Sequence, residues 1–221
     1  MNFKIDIFLE AFPDIFPFVG TTLFLALIAF IIALLLSFII AIIIKYRVPV
    51  LSNFAEIYVS FFRSTPMISQ LFFFYFGVTP FIPLLKTAPP AISVVVVLAM
   101  NESAFMSETI RGALNSVDKG QHEAALVVGM TELQSMIRIV FPQAIRVALP
   151  GLSNSFIGAI KGTSLGFTIG VVEIMAEAKL LASKNYRIME AYMAALIIYW
   201  ILILILGRGQ KWIEEKSNTA Y

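Results

Sequence analysis

The sequence predicts an all-α integral membrane protein. Of its 221 residues, 59% are hydrophobic and only 14% are charged, whereas soluble domains carry about a quarter charged residues. The apolar residues collect in blocks, and the longest block, 15–44, contains thirty residues and no charge. Backbone groups in lipid must be hydrogen-bonded internally, which favours helices. The composition therefore excludes an ordinary soluble domain, and a net charge of +2 gives no nucleic-acid footprint.

Five apolar blocks predict five transmembrane helices, which follow a short amino-terminal segment. Residues 1–14 combine three acidic side chains with three phenylalanines, a composition that predicts an amphipathic helix at the membrane interface. Pro66 is expected to break the second span near its start. Residues 15–210 then form the transmembrane domain, and 211–221 form a tail. Because a helix needs about 20 apolar residues to cross the bilayer, we predict spans at 15–44, 54–78, 91–112, 148–174 and 189–206.

The fourth predicted span is rich in glycine. Small residues repeated every four positions allow two helices to approach closely. We therefore predict a membrane-spanning helix packed against other helices, and a glycine-rich re-entrant segment is the alternative. The repeated glycines are Gly158, Gly162, Gly166 and Gly170.

The distribution of lysine and arginine orients the five spans. Ten basic residues fall on the side that holds the loop 114–146, five fall on the other side, and Lys161 lies inside the fourth span. Cytoplasmic loops carry an excess of basic residues. We therefore expect the amino terminus outside, and the loop 114–146 and the tail 211–221 in the cytoplasm.

The loop 114–146 predicts a short amphipathic helix over 123–137. Its apolar face outside the bilayer must be buried on lipid, on the ends of the spans or in a groove of a partner protein. Gly129 in its middle costs about 1 kcal/mol relative to alanine, unless the helix bends there or another backbone approaches closely. The apolar face has the helical spacing of four, three and four at Leu126, Met130, Leu133 and Ile137.

Motifs along the chain resemble those of ABC importer permeases. Glu123-Ala124-Ala125, then Gly129, then Ile-Val-Phe-Pro at 139–142 resembles the EAA motif of that family, with phenylalanine where the family has leucine. The stretches 61–66, 101–112, 141–146 and 161–165 resemble the signatures of its second, third and fourth spans. The matches run in order over residues 15–210. Together they resemble the polar amino-acid subfamily of type I permeases, which includes histidine, glutamine, arginine and cystine importers.

This resemblance implies a type I importer permease fold in the bacterial inner membrane, crossed several times. It implies a second permease subunit, a copy of this chain or a different one, and an extracytoplasmic solute-binding protein. It also implies separate ABC ATPase subunits that bind ATP and magnesium, with no cofactor on this chain. In the family a cytoplasmic helix sits in a groove of the ATPase, which assigns ATPase coupling to Gln121, Glu123, Ala124, Ala125, Gly129, Met130 and Leu133.

No enzymatic activity is expected on the chain itself. The stretch 158–164 has Lys-Gly where a phosphate-binding loop has Gly-Lys, and it lies in a membrane block, so it is not a Walker motif. The sequence has no cysteine and one histidine, which argues against a metal site, and His122 is predicted to be a solvated loop residue. A secondary amino-acid transporter or channel is the alternative function, although such proteins usually have repeated halves.

Glu102 is the main candidate for a residue on the substrate path. It lies about 18 Å along the third span from Pro90 at 1.5 Å per residue, close to the middle of the bilayer. A carboxylate at that depth costs several kcal/mol unless it faces a partner or water. The functional interpretation is a contact with the ammonium group of an amino acid, and the alternative is a structural hydrogen bond. Asn101 and Ser103 share these two interpretations.

A cation and two hydroxyls near the outer end of the fourth span are candidates for binding the substrate carboxylate. They are Lys161, Thr163 and Ser164. For Lys161 the alternative is that its ammonium group extends to the outer interface. The stretch 167–175 resembles permeases for cystine and related sulfur amino acids, so L-cystine is the first candidate substrate. An ion pair is predicted between Glu108 and Arg111, and Arg63 is predicted to be an interfacial anchor or a subunit contact.

Overall fold

The computed structural model describes residues 3–218, which are α-helical with no strand in that range. Short 3₁₀ segments at Phe16–Phe18, Thr79–Phe81 and Ser164–Ile169 and π-helical segments at Phe73–Val78 and Met136–Val140 connect or extend the helices. The helices are α1 (Ile5–Ile15), α2 (Val19–Lys45), α3 (Leu51–Ser64), α4 (Met67–Phe72), α5 (Pro83–Lys86), α6 (Pro90–Ser116), α7 (Lys119–Val127), α8 (Glu132–Ser135), α9 (Phe141–Thr163), α10 (Ile174–Asn185) and α11 (Ile188–Asn218).

The predicted all-α membrane protein is confirmed, while the count of five spans stays a prediction. Within residues 3–218, three stretches are long and apolar enough to cross a bilayer by length and composition: Ile5–Lys45, Pro90–Ser116 and Ile188–Lys216. The second predicted span is divided between α3 and α4. The fourth corresponds to α9, which begins at Phe141, seven residues before the predicted start at 148.

The amino-terminal helix α1 packs against protein along one side. Ala11 and Ile15 are buried in a cluster with residues of α10 and α11, among them Ile174, Ala178 and Ala194. The opposite side of α1 is exposed, including the acidic residues at positions 6, 10 and 14. An amphipathic helix is thus present as predicted, and its location at the membrane interface stays a prediction.

Helix α2 packs on α6 and α9 through a stripe of small side chains. Small residues at helical spacing let the backbones approach, which is how helices associate without a hydrophobic driving force in lipid. On the opposite side, Phe24 and Leu35 are exposed and suit contact with lipid chains. The fully buried stripe consists of Ala26, Ala29, Ala33, Ser37 and Ala41.

The repeated glycines of the fourth predicted span pack α9, and the 3₁₀ segment that follows it, against α6 in antiparallel register. A Cβ atom added at Gly158, Gly162 or Gly166 would lie at most 3.0 Å from an atom of α6, closer than side chains normally approach. The predicted packing role is confirmed for three of the four glycines, and Gly151 extends the row. Gly170 differs because its φ of +89° ends the 3₁₀ segment. The contacting pairs are Gly151 with Thr109, Gly158 with Glu102, Gly162 with Leu98 and Gly166 with Val94.

Candidate functional site

Asn101 stabilises the interruption of the helix at Pro66. The sequence predicted this interruption, and the structure confirms it. Thr65 is extended, with φ −114° and ψ 147°, as favoured for a residue before proline. The carbonyl of Phe62 lacks a helical partner, because the residue four positions further on is Pro66, which has no N–H. It accepts hydrogen bonds from Nε2 of Gln70 and from Nδ2 of Asn101, each at 3.1 Å. The Asn101 amide also donates to Oε1 of Gln70 at 3.0 Å, so its donors are used within the chain.

Ser103 faces α3 in a similar way. Its hydroxyl lies 2.8 Å from the phenol oxygen of Tyr58. Both hydroxyls lie 2.9 Å from the carbonyl oxygen of Met100. Asn101 and Ser103 are therefore directed at the α3–α4 region, and the structure does not bring them together with the carboxylate between them in sequence.

Glu102 points the other way, at α9. Only 9% of the residue is exposed, and Oε1 would lie 2.9 Å from a Cβ atom at Gly158, so glycine is what leaves room for the carboxylate. The carboxylate interacts with the hydroxyl of Ser155 and with the charge of Lys161, both on α9. Glu102 is therefore directed at α9, the helix that also carries Lys161.

Thr163 and Ser164 form hydrogen bonds with backbone carbonyls of α9. The Thr163 hydroxyl donates to the carbonyl of Ile160 at 2.8 Å and is fully buried. The Ser164 hydroxyl donates to the carbonyl of Lys161 at 2.6 Å. Both hydroxyls satisfy backbone groups where α9 becomes a 3₁₀ segment, whereas the Lys161 side chain is exposed. Of the six predicted path residues, Glu102 and Lys161 lie on the packed helices α6 and α9, and the structure shows no direct ion pair between them.

These two side chains belong to a row that we call the α6–α9 polar face, formed by Glu102, Asn154, Ser155 and Lys161. Asn154 and Lys161 are exposed on the surface of the isolated chain, seven residues apart on the same side of α9. Exposed polar groups within a spanning helix avoid lipid and face another polypeptide or a water-filled path. The face therefore suits contact with a polar ligand or a second subunit.

A second charged cluster lies between α3 and α6. Glu108 accepts hydrogen bonds from Arg111 at 2.6 and 3.0 Å, which agrees with the predicted ion pair. Arg63 lies 3.6 Å from Glu108 and stacks on the ring of Phe105, 5.6 Å from its centroid. These residues line an open cavity of about 590 Å³ together with Glu56. The positive and negative charges of the cluster balance, so its side chains neutralise one another within the same chain.

The loop between α6 and α9 contains a turn where the sequence predicted a continuous helix over 123–137. That prediction is wrong because α7 ends at Val127 and α8 begins at Glu132. The N–H of Met130 donates to Ala125 and that of Gly129 to Leu126, each at 3.0 Å, a pattern that ends helices at a left-handed glycine. Gly129 has φ +86°. We call residues 119–137 the α7–α8 loop.

A local sequence motif determines where α8 begins. The apolar spacing favoured one continuous helix and so did not indicate this start. The N–H of Thr131 donates to Oε1 of Gln134 at 2.9 Å, and the N–H of Gln134 donates to Oγ1 of Thr131 at 3.2 Å. This reciprocal pair is a capping box, which a Thr-x-x-Gln sequence predicts. The π-helical segment then joins α8 to α9 near Pro142, which has no N–H to donate.

Most of the predicted coupling residues are accessible on the α7–α8 loop. Ala125 is buried and Met130 half-buried, whereas Gln121, Glu123, Ala124, Gly129 and Leu133 are exposed. The turn also presents valines that the sequence interpretation had not selected. Val127 is 87% exposed and Leu133 is 68% exposed. The apolar surface that results consists of Val127, Val128, Leu133 and Ile137.

His122 is not the solvated loop residue that the sequence predicted. Its imidazole is hydrogen-bonded to Ser135 and paired with Glu132, and its side chain is 30% exposed. Those partners lie ten and thirteen residues further along the chain, beyond the turn at Gly129. The error follows from the assumption of one continuous helix, which would hold these residues far apart.

A buried carboxylate that the sequence did not single out joins four helices near the carboxyl end of α9. Oε1 of Glu173 accepts the N–H of Ala176 at 2.9 Å and caps α10. Oε2 accepts the hydroxyl of Tyr199 on α11 at 2.8 Å. Tyr199 also interacts with Thr22 of α2 and Thr163 of α9. Tyr199 and Thr22 are distant in sequence from Glu173, so local patterns could not reveal these contacts, whereas the bond to Ala176 is a local helix cap.

Comparisons with known proteins agree with this architecture. Residues 33–218 match the family described as "Binding-protein-dependent transport system inner membrane component". The probable amino-acid ABC transporter permease protein PatM of Vibrio harveyi is 43% identical over all 221 residues and 99% of its own length. A solved amino acid ABC transporter with histidines is 30% identical, with a TM-score of 0.89 over 98% of this chain and 100% of that one.

Relatives named for a particular substrate are more distant than PatM. The L-cystine transport system permease protein TcyB of Bacillus subtilis is 37% identical, covering 89% of this chain and 83% of that one. The nopaline transport system permease protein NocM of Agrobacterium fabrum is also 37% identical, covering 92% and 88%.

Proposed function

Because the chain belongs to the family of inner-membrane components of binding-protein-dependent transport systems, we propose that the α6–α9 polar face guides a polar amino acid into the cytoplasm. The chain is an amino-acid ABC transporter permease subunit of type I and a multi-pass inner-membrane protein. In this family ATP hydrolysis takes place on a separate subunit, and the family implies an ATPase and a substrate-binding protein as partners.

The observation that carries this proposal is the position of Glu102 and Lys161 on the packed helices α6 and α9, within the α6–α9 polar face. An amino acid in its zwitterionic form has an ammonium group and a carboxylate a few ångströms apart. Glu102 is suited to bind the ammonium group, and Lys161 is suited to bind the carboxylate. The two opposite charges act on each other across adjacent helices without a direct ion pair, so a substrate between them can bind to both. Ser155 supplies a neutral hydrogen-bonding group beside them.

A second permease subunit is proposed to complete the path. Asn154 and Lys161 are exposed on the outside of the isolated chain, on a helix that we predict to span the membrane, where contact with lipid is unfavourable. A facing subunit turns this surface into the wall of a channel between two proteins. The same arrangement leaves the exposed apolar side of α2 to the lipid.

Coupling to the ATPase is proposed to occur through the α7–α8 loop. Its exposed valines and Leu133 form an apolar surface outside the spans. Such a surface is stabilised when a partner protein buries it in a groove. The predicted cytoplasmic location of the loop places it on the side where ATP is available.

L-cystine or a related sulfur amino acid is the proposed substrate. The resemblance of residues 167–175 to cystine permeases supports this proposal, as does the similarity to TcyB. Uptake of radiolabelled L-cystine in a strain that lacks the gene, with and without the restored gene, tests it. We expect restored uptake that unlabelled cystine competes away. Competition by another amino acid alone would reassign the substrate, and uptake that persists without ATP would favour a secondary transporter.

A further inference from the structure

One imidazole connects the two halves of the α7–α8 loop. Nδ1 of His122 on α7 lies 2.8 Å from Oγ of Ser135 on α8. Nε2 of the same ring lies 2.9 Å from Oε2 of Glu132, at the start of α8. Ser135 is fully buried, whereas the Glu132 side chain is largely exposed. His122 thus uses both ring nitrogens to bridge the turn at Gly129.

The chemistry of these partners determines which nitrogen of the ring carries a proton. An ionised carboxylate can only accept hydrogen bonds, so Nε2 carries the proton that points at Glu132. A serine hydroxyl can donate or accept, and it can therefore pair with Nδ1 whether that nitrogen is protonated or not. Both contacts persist in the neutral and the charged ring, so the bridge holds α7 and α8 together in either state.

The His122 bridge lies between the exposed apolar surface of the α7–α8 loop and helix α9, which carries part of the α6–α9 polar face. Val127 and Val128 lie at the end of α7, while Leu133 lies on α8, so the exposed apolar surface is divided by the turn. Helix α8 continues through Met136–Val140 directly into α9, which carries Ser155 and Lys161. A force applied to the valines reaches α9 efficiently only if α7 does not pivot on α8.

We propose that His122 is a positioning residue that makes the α7–α8 loop a rigid link between the ATPase and α9. By bonding to Ser135 and Glu132, it presents the valines and Leu133 to the partner as one surface. This inference rests on the proposed docking of the loop on the ATPase. It predicts that loss of the imidazole weakens transmission of movement without preventing docking.

The test uses the whole transporter in liposomes, with permease, ATPase and binding protein, and measures substrate transported per ATP hydrolysed. H122A should keep the ATPase bound and lower this ratio about fivefold, the effect of losing the net hydrogen bond to buried Ser135, because the exposed pair with Glu132 adds little. H122N retains a side-chain amide near the position of Nδ1 and should recover most of the ratio. Because H122A and S135A break the same contact, the double variant should lose no more than H122A alone.

Two results would overturn the inference. The first is a wild-type ratio in H122A. The second is a parallel fall of transport and hydrolysis in proportion to the amount of assembled complex, which a purely stabilising role would produce. Failure of the docking proposal is distinguished by V128D: if that variant still copurifies with the ATPase and transports normally, the loop is not the docking surface.

Discussion

The α6–α9 interface and the α7–α8 loop use glycine for opposite purposes. In the interface, Gly151 and Gly158 let side chains of α6 lie against the α9 backbone, and the space is filled from within the chain. In the loop, nothing from the chain lies within 4 Å of a Cβ atom placed at Gly129, which is needed for its φ of +86°. The interface is completed by its own residues. We propose that the loop presents a surface for another protein to complete.

The largest effect is expected from G129D, which tests whether the loop is incomplete by itself. Aspartate is among the residues that tolerate a left-handed backbone, so the turn should persist while a charge enters the apolar surface. Uptake should be abolished although the permease remains in the membrane at normal levels. Uptake by whole cells, with immunoblots of membranes, measures both quantities.

G209D is the matched control for that experiment. Gly209 is exposed on α11 and has no atom of another residue within 4 Å of its Cβ position. The same substitution there should leave uptake close to that of the wild type. Normal transport by G129D, or an equal loss in both variants, would contradict docking through the loop.

The next largest effect is expected from E102A, which tests the α6–α9 polar face. A hydrogen bond to a charged group contributes about 1.5–3 kcal/mol, so uptake should fall about tenfold or more. Insertion should not suffer, because a carboxylate is removed from a helix that is predicted to span the bilayer. Reconstituted transporter should still show ATPase activity that the loaded binding protein stimulates.

S107A is the comparison for E102A on the same helix. The Ser107 hydroxyl is buried but donates only to the carbonyl of Ala104 at 2.9 Å, within α6. It should transport normally. If E102A or E102Q takes up substrate at the wild-type rate, Glu102 has no role in the path; if E102A fails to assemble, its role is structural.

A moderate effect on stability is expected from G151A, which tests whether the interface is closed. The new methyl group would lie 2.5 Å from Cγ2 of Thr109, a stiff β-branched side chain. Overpacking of this kind costs about 1–3 kcal/mol, so the melting temperature of the purified permease should fall. T109S removes the opposing methyl group, and the double variant G151A/T109S should recover most of the loss. Equal melting temperatures for G151A and the wild type would show that the helices are not in tight contact.

The smallest effect is expected from T131A, which removes the capping box of α8. Loss of an N-cap side chain costs about 1 kcal/mol. The α7–α8 loop should therefore open more often, and protease cleavage within it should become faster, while uptake decreases slightly. T87A, outside any helix and exposed, should leave the cleavage rate unchanged. Unchanged cleavage in T131A would mean that the loop is held by other contacts.

Local rules predicted the features of the fold that depend on neighbouring residues. Proline at position 66 forces an extended residue before it, and glycines four residues apart leave a groove on one side of a helix. The same kind of rule could have found the turn in the loop, because Gly129 is followed by Thr131 and Gln134. The apolar spacing of Leu126, Met130 and Leu133 instead favoured one helix.

The remaining differences between the sequence predictions and the structure arise from contacts between residues that are distant in sequence. The orientation of Glu102 toward α9, with Asn101 and Ser103 turned toward α3, depends on how helices far apart in the chain pack. The pairing of His122 with Ser135 requires the turn between them. The buried contact of Glu173 with Tyr199 joins residues 26 positions apart. No periodicity in the sequence encodes such contacts.

The location of the α7–α8 loop in the cytoplasm is the premise of the whole mechanism, and single-cysteine labelling tests it most directly. The chain has no cysteine, and Lys86, Lys119 and Lys184 are exposed. After each is replaced by cysteine, a membrane-impermeant maleimide applied to intact cells should label positions 86 and 184 and spare 119 until the membrane is opened. Labelling at 119 in intact cells, with 86 protected, would place the loop where no ATP is available and would contradict ATP-driven import.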